Sequence, residues 1–379
     1  MFTILLVFGT RPEAIKLAPV YKEMLKREDR IRVICCATGQ HRSLLDQALH
    51  AFDMRTDYDF NLLVEDQDLF HTTIKTLEGI REVLLRENPD IIVVQGDTSS
   101  AFSAALAAAY FQVPIAHVEA GLRSYDRFQP FPEEINRTLI SRIADLNFCP
   151  TERAAEQLRR EQVPPDSIHV TGNTVVDVLL QTLELLDGPH GMSAGLCAND
   201  LPPGRLILVS GHRRESFGQG IANLANALLD LVQSFPDVVV VYSMHPNPQV
   251  RKPVEKIVGS HERILVIDPP PYVAFIRLMR RAYFIITDSG GIQEEAPSLK
   301  KPVLVARNVT ERPEAIEAGA AILVGTERER IVQEASRLLV DADQYASMIV
   351  QDNPFGDGHA SERIVDLVEH FLRQHKKRV

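Results

Sequence analysis

The chain is poor in cysteine, with four in 379 residues. Cys35, Cys36 and Cys149 fall in apolar runs that read as core, Cys197 does not, and no two share a metal-ligand spacing. Reduced thiols and a cytoplasmic location are the default expectation. Clustered positive charge is also missing. No Lys/Arg-rich block precedes the short tail His375-Lys376-Lys377-Arg378, and the formal net charge is −10 with a pI near 5.7, which argues against nucleic acid or an anionic membrane as partner. No apolar run reaches the length of a membrane span. Residues 1–7 lead straight into an apolar strand without a charged n-region or a small-residue cleavage site, so no secretory signal is expected. Neither the GxGxxG dinucleotide fingerprint nor a Walker A pattern follows the first strand, so neither a nicotinamide cofactor nor ATP is implied by the usual route.

What is present is an alternation of short apolar runs with amphipathic stretches, twice over. Residues 4–8, 31–37, 91–95, 114–118 and 146–149 read as parallel strands buried on both faces, with helices near 12–27, 41–52, 69–87, 98–110, 133–144 and 151–161. A Gly- and Pro-rich stretch over 188–204 lacks periodicity and reads as a loop. A second set of strands follows at 206–210, 238–243, 264–267, 283–287, 303–306 and 321–324, again with helices between. The pattern predicts an α/β protein of two Rossmann-like, doubly wound domains facing a central cleft. The expected boundaries are 1–171, 172–358 and a closing helix over 359–379 that packs across the domain junction.

Polar residues crowd the C-terminal ends of the predicted strands, where open α/β sheets place their ligands. After strand one, Gly9-Thr10-Arg11-Pro12-Glu13-Ala14-Ile15-Lys16 puts Arg11 at a turn and Lys16 a turn and a half into a helix, as cleft-facing cations or as solvated bases. Asp97 in Gly96-Asp97-Thr98 is either a functional carboxylate or an N-cap. Glu119 ends an apolar strand in His117-Val118-Glu119-Ala120-Gly121-Leu122-Arg123. There it faces a ligand or pairs with Arg123. Pro132-Glu133-Glu134-Ile135-Asn136-Arg137 adds two acids in a helix's first turn, which suit the macrodipole and also place further carboxylates at the same sheet edge. In the second half, Gly211-His212-Arg213-Arg214-Glu215 offers charge for a diphosphate. The turn Asp288-Ser289-Gly290-Gly291-Ile292-Gln293-Glu294-Glu295 opens a helix after an apolar strand. It is either a phosphate-binding N-terminus, with Glu295 placed for ribose hydroxyls, or a Ser N-cap with two flexible glycines.

These segments occur in one order over nearly the whole chain, together with Thr171-Gly172-Asn173-Thr174 and Thr310-Glu311-Arg312-Pro313-Glu314, and in that order they resemble the non-hydrolysing UDP-N-acetylglucosamine 2-epimerases. The resemblance implies a fold like the GT-B glycosyltransferases. It implies interconversion of UDP-GlcNAc and UDP-ManNAc, with no redox cofactor and no essential metal, through elimination of UDP to 2-acetamidoglucal and readdition. Carried over residue by residue, Asp97, Glu119 and Glu133 look like the acid/base carboxylates, and His212 and Arg11 like diphosphate contacts. Lys16 and Arg137 would bind the sugar side; Ser289, Gly290 and Gly291 the phosphates; Glu295 the ribose; and Phe275 would lie near the uracil. A second UDP-GlcNAc as regulator would meet Gln40, His41, Arg213 and His245, and a homodimer is the usual assembly. The sequence departs from the commoner family pattern at Tyr125 (usually Gly), Gln129 (usually Ser) and Ser243 (often Pro).

Overall fold

Apolar runs without polar alternation are stable only in a sheet covered on both faces. The computed structural model, which describes residues 1–39, 42–62, 68–188, 201–211, 218–244 and 248–375, shows such a sheet twice. The chain divides into one unit of Met1–Val178 with Phe355–Val379 and a second of Leu179–Pro354.

In the first unit, β1 (Phe2–Phe8), β2 (Ile31–Ala37), β3 (Tyr58–Asp59), β4 (Ile91–Gln95), β5 (Ile115–Val118), β6 (Leu146–Cys149) and β7 (Ile168–Val170) form a parallel sheet among the described residues. Its order is β3-β2-β1-β4-β5-β6-β7. Its helices are α1 (Arg11–Leu25), α2 (Arg42–Ala51), α3 (Leu69–Glu87), α4 (Ser99–Tyr110), α5 (Glu133–Ile143) and α6 (Glu152–Arg160), followed by α7 (Thr174–Asp187), within which the division falls. The apolar runs do not single out β3 or β7. These are short edge strands with a polar residue in each, Tyr58-Asp59 and Ile168-His169-Val170, unlike the equally short but wholly apolar β12 and β13 of the second unit.

The second unit repeats the design with β8 (Arg205–Gly211), β9 (Val238–Met244), β10 (Ile264–Ile267), β11 (Phe284–Thr287), β12 (Val303–Val305) and β13 (Ala321–Leu323), in the order β10-β9-β8-β11-β12-β13 and parallel throughout. Its helices are α8 (Gln219–Ser234), α9 (Pro248–Val258), α10 (Tyr272–Arg281), α11 (Gly290–Glu295), α12 (Pro313–Glu317), α13 (Arg328–Val340) and α14 (Ala342–Ser347). Both units are thus Rossmann-like. Among the described residues no helix is long and apolar enough to cross a membrane.

Packing follows from side-chain size. Alanines dominate the buried face of α4, where Ala101, Ala104, Ala105 and Ala108 meet Leu5, Val7, Ile92 and Val94, so the helix lies close to the middle of the sheet. The final helix, α15 (Ala360–His375), buries Ile364, Val365, Val368 and Leu372. Its charged face meets α1: Arg27 reaches Asp366 at 2.6 Å, and Glu369 receives Arg27 at 3.3 Å and Arg30 at 2.8 Å. The α15 N-terminus is fixed by Asp177 of α7, whose carboxylate accepts hydrogen bonds from the amides of Ala360 (3.2 Å) and Ser361 (2.7 Å) and from the Ser361 hydroxyl (2.6 Å). Burial raises the Asp177 pKa, opposed by those donors. The three buried cysteines are free, and burial pushes the Cys149 thiol up to about 12.

His117 on β5 is fully buried, with its Nε2 2.8 Å from the carbonyl oxygen of Gly96. Burial lowers its pKa to about 4 against the Gly96 hydrogen bond, and Arg123 and Arg137 add to the depression.

Two outcomes follow from these groups. Replacing Asp177 by Ala should destabilise the protein by about 2–4 kcal/mol, the loss of a buried cap with several charge-assisted bonds. A fall in denaturation midpoint checks this, and an unchanged midpoint refutes it. Because His117 is harder to protonate folded than unfolded, its contribution to stability is present above pH 6.5 and is lost as pH falls toward 4. Denaturant midpoints over that window should vary less steeply for His117→Gln than for the wild type, by at most about 1.4 kcal/mol per pH unit. Identical slopes would contradict a buried neutral imidazole.

Candidate active site

In a parallel sheet all strands end on one edge, and where the strand order reverses, the loops leaving adjacent strands diverge and open a crevice. The reversal lies between β1 and β4 in the first unit and between β8 and β11 in the second. Apart from Phe275, on α10 after β10, the described candidate residues follow these strands or their neighbours.

In the first unit the chain leaves β1 through Gly9, where a Cβ would come within 2.4 Å of Thr38 Oγ1 and 2.5 Å of Ser100 Oγ. Thr10 caps α1, and Glu13 closes a capping box by accepting from the Gly9 and Thr10 amides at 3.0 and 2.7 Å. Arg11 therefore opens the helix, and Lys16 lies a turn and a half in. The Lys16 ammonium is ion-paired with Glu119, and the same Glu119 oxygen accepts from Gln95 Nε2 at 2.8 Å. Only 13% of the Lys16 and 8% of the Glu119 side chain is exposed, so this pair is little screened by solvent. Glu119 stands at φ +67°, a left-handed conformation costing a non-glycine residue about 1–3 kcal/mol. The alternative Glu119–Arg123 pair does not form; Arg123 instead grips Glu161 through two bonds of 2.7 and 2.8 Å.

The cap of α4 is Thr98, whose hydroxyl accepts from the Ala101 amide at 3.0 Å, and not Asp97. The Asp97 carboxylate meets Arg137 Nη2 at 2.5 Å, and the Asp97 carbonyl accepts from Asn136 Nδ2 at 2.9 Å. Arg137 is buried and lies 3.5 Å from Glu134. The adjacent glutamates of α5 differ in environment. Glu134 is buried and accepts from the Ser124 and Tyr125 amides at 3.0 Å, fixing the start of the loop before α5, whereas Glu133 is half-buried at the first position of the helix. Asp97 with Arg137, and Glu119 with Lys16 and Gln95, are thus two carboxylates each held beside a cation at the end of β4 or β5.

In the second unit β11 ends at Thr287, whose hydroxyl accepts from the Ser289 amide at 3.0 Å. Ser289 occupies the N-cap position of α11, but its side chain makes no capping bond. A Cβ on Gly290 would sit 3.0 Å from Arg312 Cζ, so the guanidinium lies directly against the turn. That guanidinium is held by Glu294 at 2.8 Å and Glu311 at 3.0 Å. Among the described residues a Cβ on Gly291 would meet only Ser289 Oγ, at 4.0 Å, so they leave this side of the turn open. Glu295 is buried and accepts from the Tyr272 hydroxyl at 2.6 Å, and Phe275, half-buried, lies one turn beyond Tyr272 on α10. A cavity of about 20 Å³, water-sized, lies behind the turn against Asp288, Tyr242 and Ser210. His212, Arg213, Gln40, His41 and His245 lie outside the described residues. Among the described residues no group of three or more His, Cys, Asp or Glu is arranged to hold a metal ion.

Glu13, Gln95, Glu134, Tyr272 and Arg312 join these clusters without having been singled out in the sequence for such contacts. Gln95 carried a usable signal, as the polar last residue of an otherwise apolar strand, the feature that marked Glu119. Glu13 carried one too, at capping-box spacing from Thr10. The Glu13–Thr98, Tyr272–Glu295 and Arg312–Glu294 contacts span 85, 23 and 18 residues, and spacing does not reveal them.

Comparison with known proteins agrees with this geometry. A family model described as UDP-N-acetylglucosamine 2-epimerase matches residues 23–369. UDP-N-acetylglucosamine 2-epimerase of Escherichia coli (strain K12) is 46% identical over 369 residues, 97% of this chain and 98% of that one. The crystal structure of UDP-GlcNAc 2-epimerase from Neisseria meningitidis bound to UDP-GlcNAc superposes with a TM-score of 0.91 at 41% identity, covering 97% of this chain and 100% of that one. MurG from Acinetobacter baumannii, 14% identical over 98% of this chain and 100% of its own with a TM-score of 0.59, shares the fold alone, the GT-B-like class of two Rossmann-like domains. With a family model matched over most of its length and relatives 46% identical over nearly the whole chain, this chain belongs to the UDP-N-acetylglucosamine 2-epimerase family.

Proposed function

We propose that the chain interconverts UDP-GlcNAc and UDP-ManNAc without net hydrolysis. The proposed route is elimination of UDP across C1–C2 to 2-acetamidoglucal, followed by readdition. The observation that carries this reading is the Lys16–Glu119–Gln95 cluster beside the Asp97–Arg137 pair in a member of this family. The C2–H bond is not activated by a neighbouring carbonyl, so a base alone removes its proton poorly. Breaking the C1–O bond as the proton leaves places the developing charge on the diphosphate, where it can be stabilised. A carboxylate takes the C2 proton, the C1–O electrons go to UDP, and a C1–C2 double bond forms. In the return step a second acid delivers a proton to the opposite face of C2 as UDP adds to C1. The proton balance is zero and no hydride moves, so the reaction needs no redox cofactor.

The roles divide between the two units. Asp97, Glu119 and Glu133 carry the proton transfers, while Lys16 and Arg137, ion-paired with Glu119 and Asp97, orient those two side chains and meet the sugar. Ser289, Gly290 and Gly291 take the phosphates, supported by the open side of the turn, and Glu295, oriented by Tyr272, takes the ribose. Phe275, on the same helix as Tyr272, is assigned to the uracil. Arg11 and His212 are assigned to the diphosphate. Regulation by a second UDP-GlcNAc, assigned to Gln40, His41, Arg213 and His245, would appear as sigmoidal rates.

Two experiments check the reading. In D2O, UDP-GlcNAc should yield UDP-ManNAc deuterated at C2, and recovered UDP-GlcNAc should acquire the same label. UDP-ManNAc without label would exclude proton abstraction at C2, and accumulation of free ManNAc with UDP would replace the reading by a hydrolysing one. Asp97→Asn and Glu119→Gln should each lower kcat by about 10²–10⁴-fold, as loss of a positioned acid or base does, with circular dichroism unchanged. Near-wild-type turnover in either variant would remove that residue from the chemistry.

A further inference from the structure

Resting on the epimerase reading, we propose that Glu13 is a positioning residue that locks the N-terminal part of α1, which carries Arg11 and Lys16, to the loop carrying Asp97. An ordinary capping box at the N-terminus of α1 needs one acceptor oxygen, which glutamine also supplies. Glu13 is used more fully. One oxygen, Oε2, accepts from the Gly9 and Thr10 amides at 3.0 and 2.7 Å, and the other, Oε1, accepts from the Thr98 hydroxyl at 2.7 Å, from a loop 85 residues on. Thr98 in turn accepts from the Ala101 amide at 3.0 Å, as the N-cap of α4. A single carboxylate therefore closes a chain of hydrogen bonds that starts at one helix N-terminus and ends at another. These two helices follow β1 and β4, the strands flanking the reversal in sheet order.

The carboxylate is the group that accepts at both ends. Donors from Gly9, Thr10 and Thr98 converge on its two oxygens, whereas a glutamine would keep one acceptor for the amides and turn an NH2 donor toward Thr98, so the Thr98 hydroxyl hydrogen would lose its acceptor. Glu13 is only 2% exposed, and burial raises its pKa against the bonds from Thr98, Thr10 and Gly9, so a neutral cap would be cheaper for α1 alone. The residues it anchors are immediate neighbours of the proposed chemistry. Asp97 precedes Thr98, Arg11 follows Thr10, and Lys16 lies three residues beyond Glu13 on the same helix. The Thr38–Ser100 hydroxyl pair, 2.8 Å apart and packed where Gly9 has no side chain, closes the same junction from the other side.

Amide hydrogen exchange and kinetics on Thr98→Val, Thr98→Ser and Glu13→Gln test this in the full chain. Thr98→Val leaves the Glu13 cap of α1 chemically intact, so a purely local cap predicts no change at Gly9 and Thr10. The coupling predicts that their exchange rises about tenfold, that Glu13→Gln likewise raises exchange at Ala101, and that Thr98→Ser restores protection. In the epimerase assay, Thr98→Val should lower kcat by about tenfold or more with a smaller change in KM, as expected from misplaced groups, and Thr98→Ser should recover to within about threefold. Exchange confined to each mutated loop, or wild-type kcat in Thr98→Val, overturns the proposal. A wild-type chain that binds UDP-GlcNAc without turnover overturns the epimerase reading instead, and the exchange measurements then still decide the coupling.

Discussion

A strand buried on both faces can carry charged side chains only where it ends, and that constraint organises both units. The apolar interiors of β1 and β4, and of β8 and β11, leave no place for charge until the sheet edge. There the reversal in strand order separates the following loops. Gln95 and Glu119 mark the transition: one is the last residue of β4, the other the first after β5, and they converge on a shared hydrogen bond with Lys16 close by. The candidate residues are concentrated where the fold cannot supply apolar cover.

Holding carboxylates at such an edge is expensive unless each has partners. The first unit meets this in three ways. Glu119 and Asp97 are each set beside a cation, Glu134 is surrounded by backbone amides and Arg137, and Glu13 is saturated by amides and a hydroxyl. The first arrangement suits a group that must exchange protons with a ligand, because a cation can be shared with substrate. The other two arrangements suit scaffolding. The left-handed backbone at Glu119 fits this division, since strain at a non-glycine residue persists only where surrounding contacts over-determine it.

Much of this was legible in the sequence because it depends on local rules. Doubly buried strands show as apolar runs, α3 fell at 69–87 as its periodicity indicates, and polar residues after strands pointed to the sheet edge. The edge strands β3 and β7 escaped because each is short and carries a polar residue, whereas the equally short β12 and β13 are wholly apolar. Partner choice escaped for a different reason. Asp97 and Thr98 are both good N-caps by type, and only the backbone geometry gives the cap to Thr98 and leaves Asp97 to Arg137. Arg123 is four residues from Glu119, yet the turn at Glu119 sends the two side chains to Lys16 and Glu161. Ordered motifs identified the family, whereas the division of labour between Glu133 and Glu134 required three dimensions.

The central claim is that the C1–O bond breaks and reforms while UDP is retained. Positional isotope exchange tests it most directly, using UDP-GlcNAc with ¹⁸O in the oxygen that bridges C1 and the β-phosphorus. If UDP departs and returns, the label must scramble into the non-bridging β-phosphate positions as epimerisation proceeds, with no free sugar formed. Epimerised product whose ¹⁸O stays entirely in the bridge would show that the C1–O bond never broke, and would contradict the account.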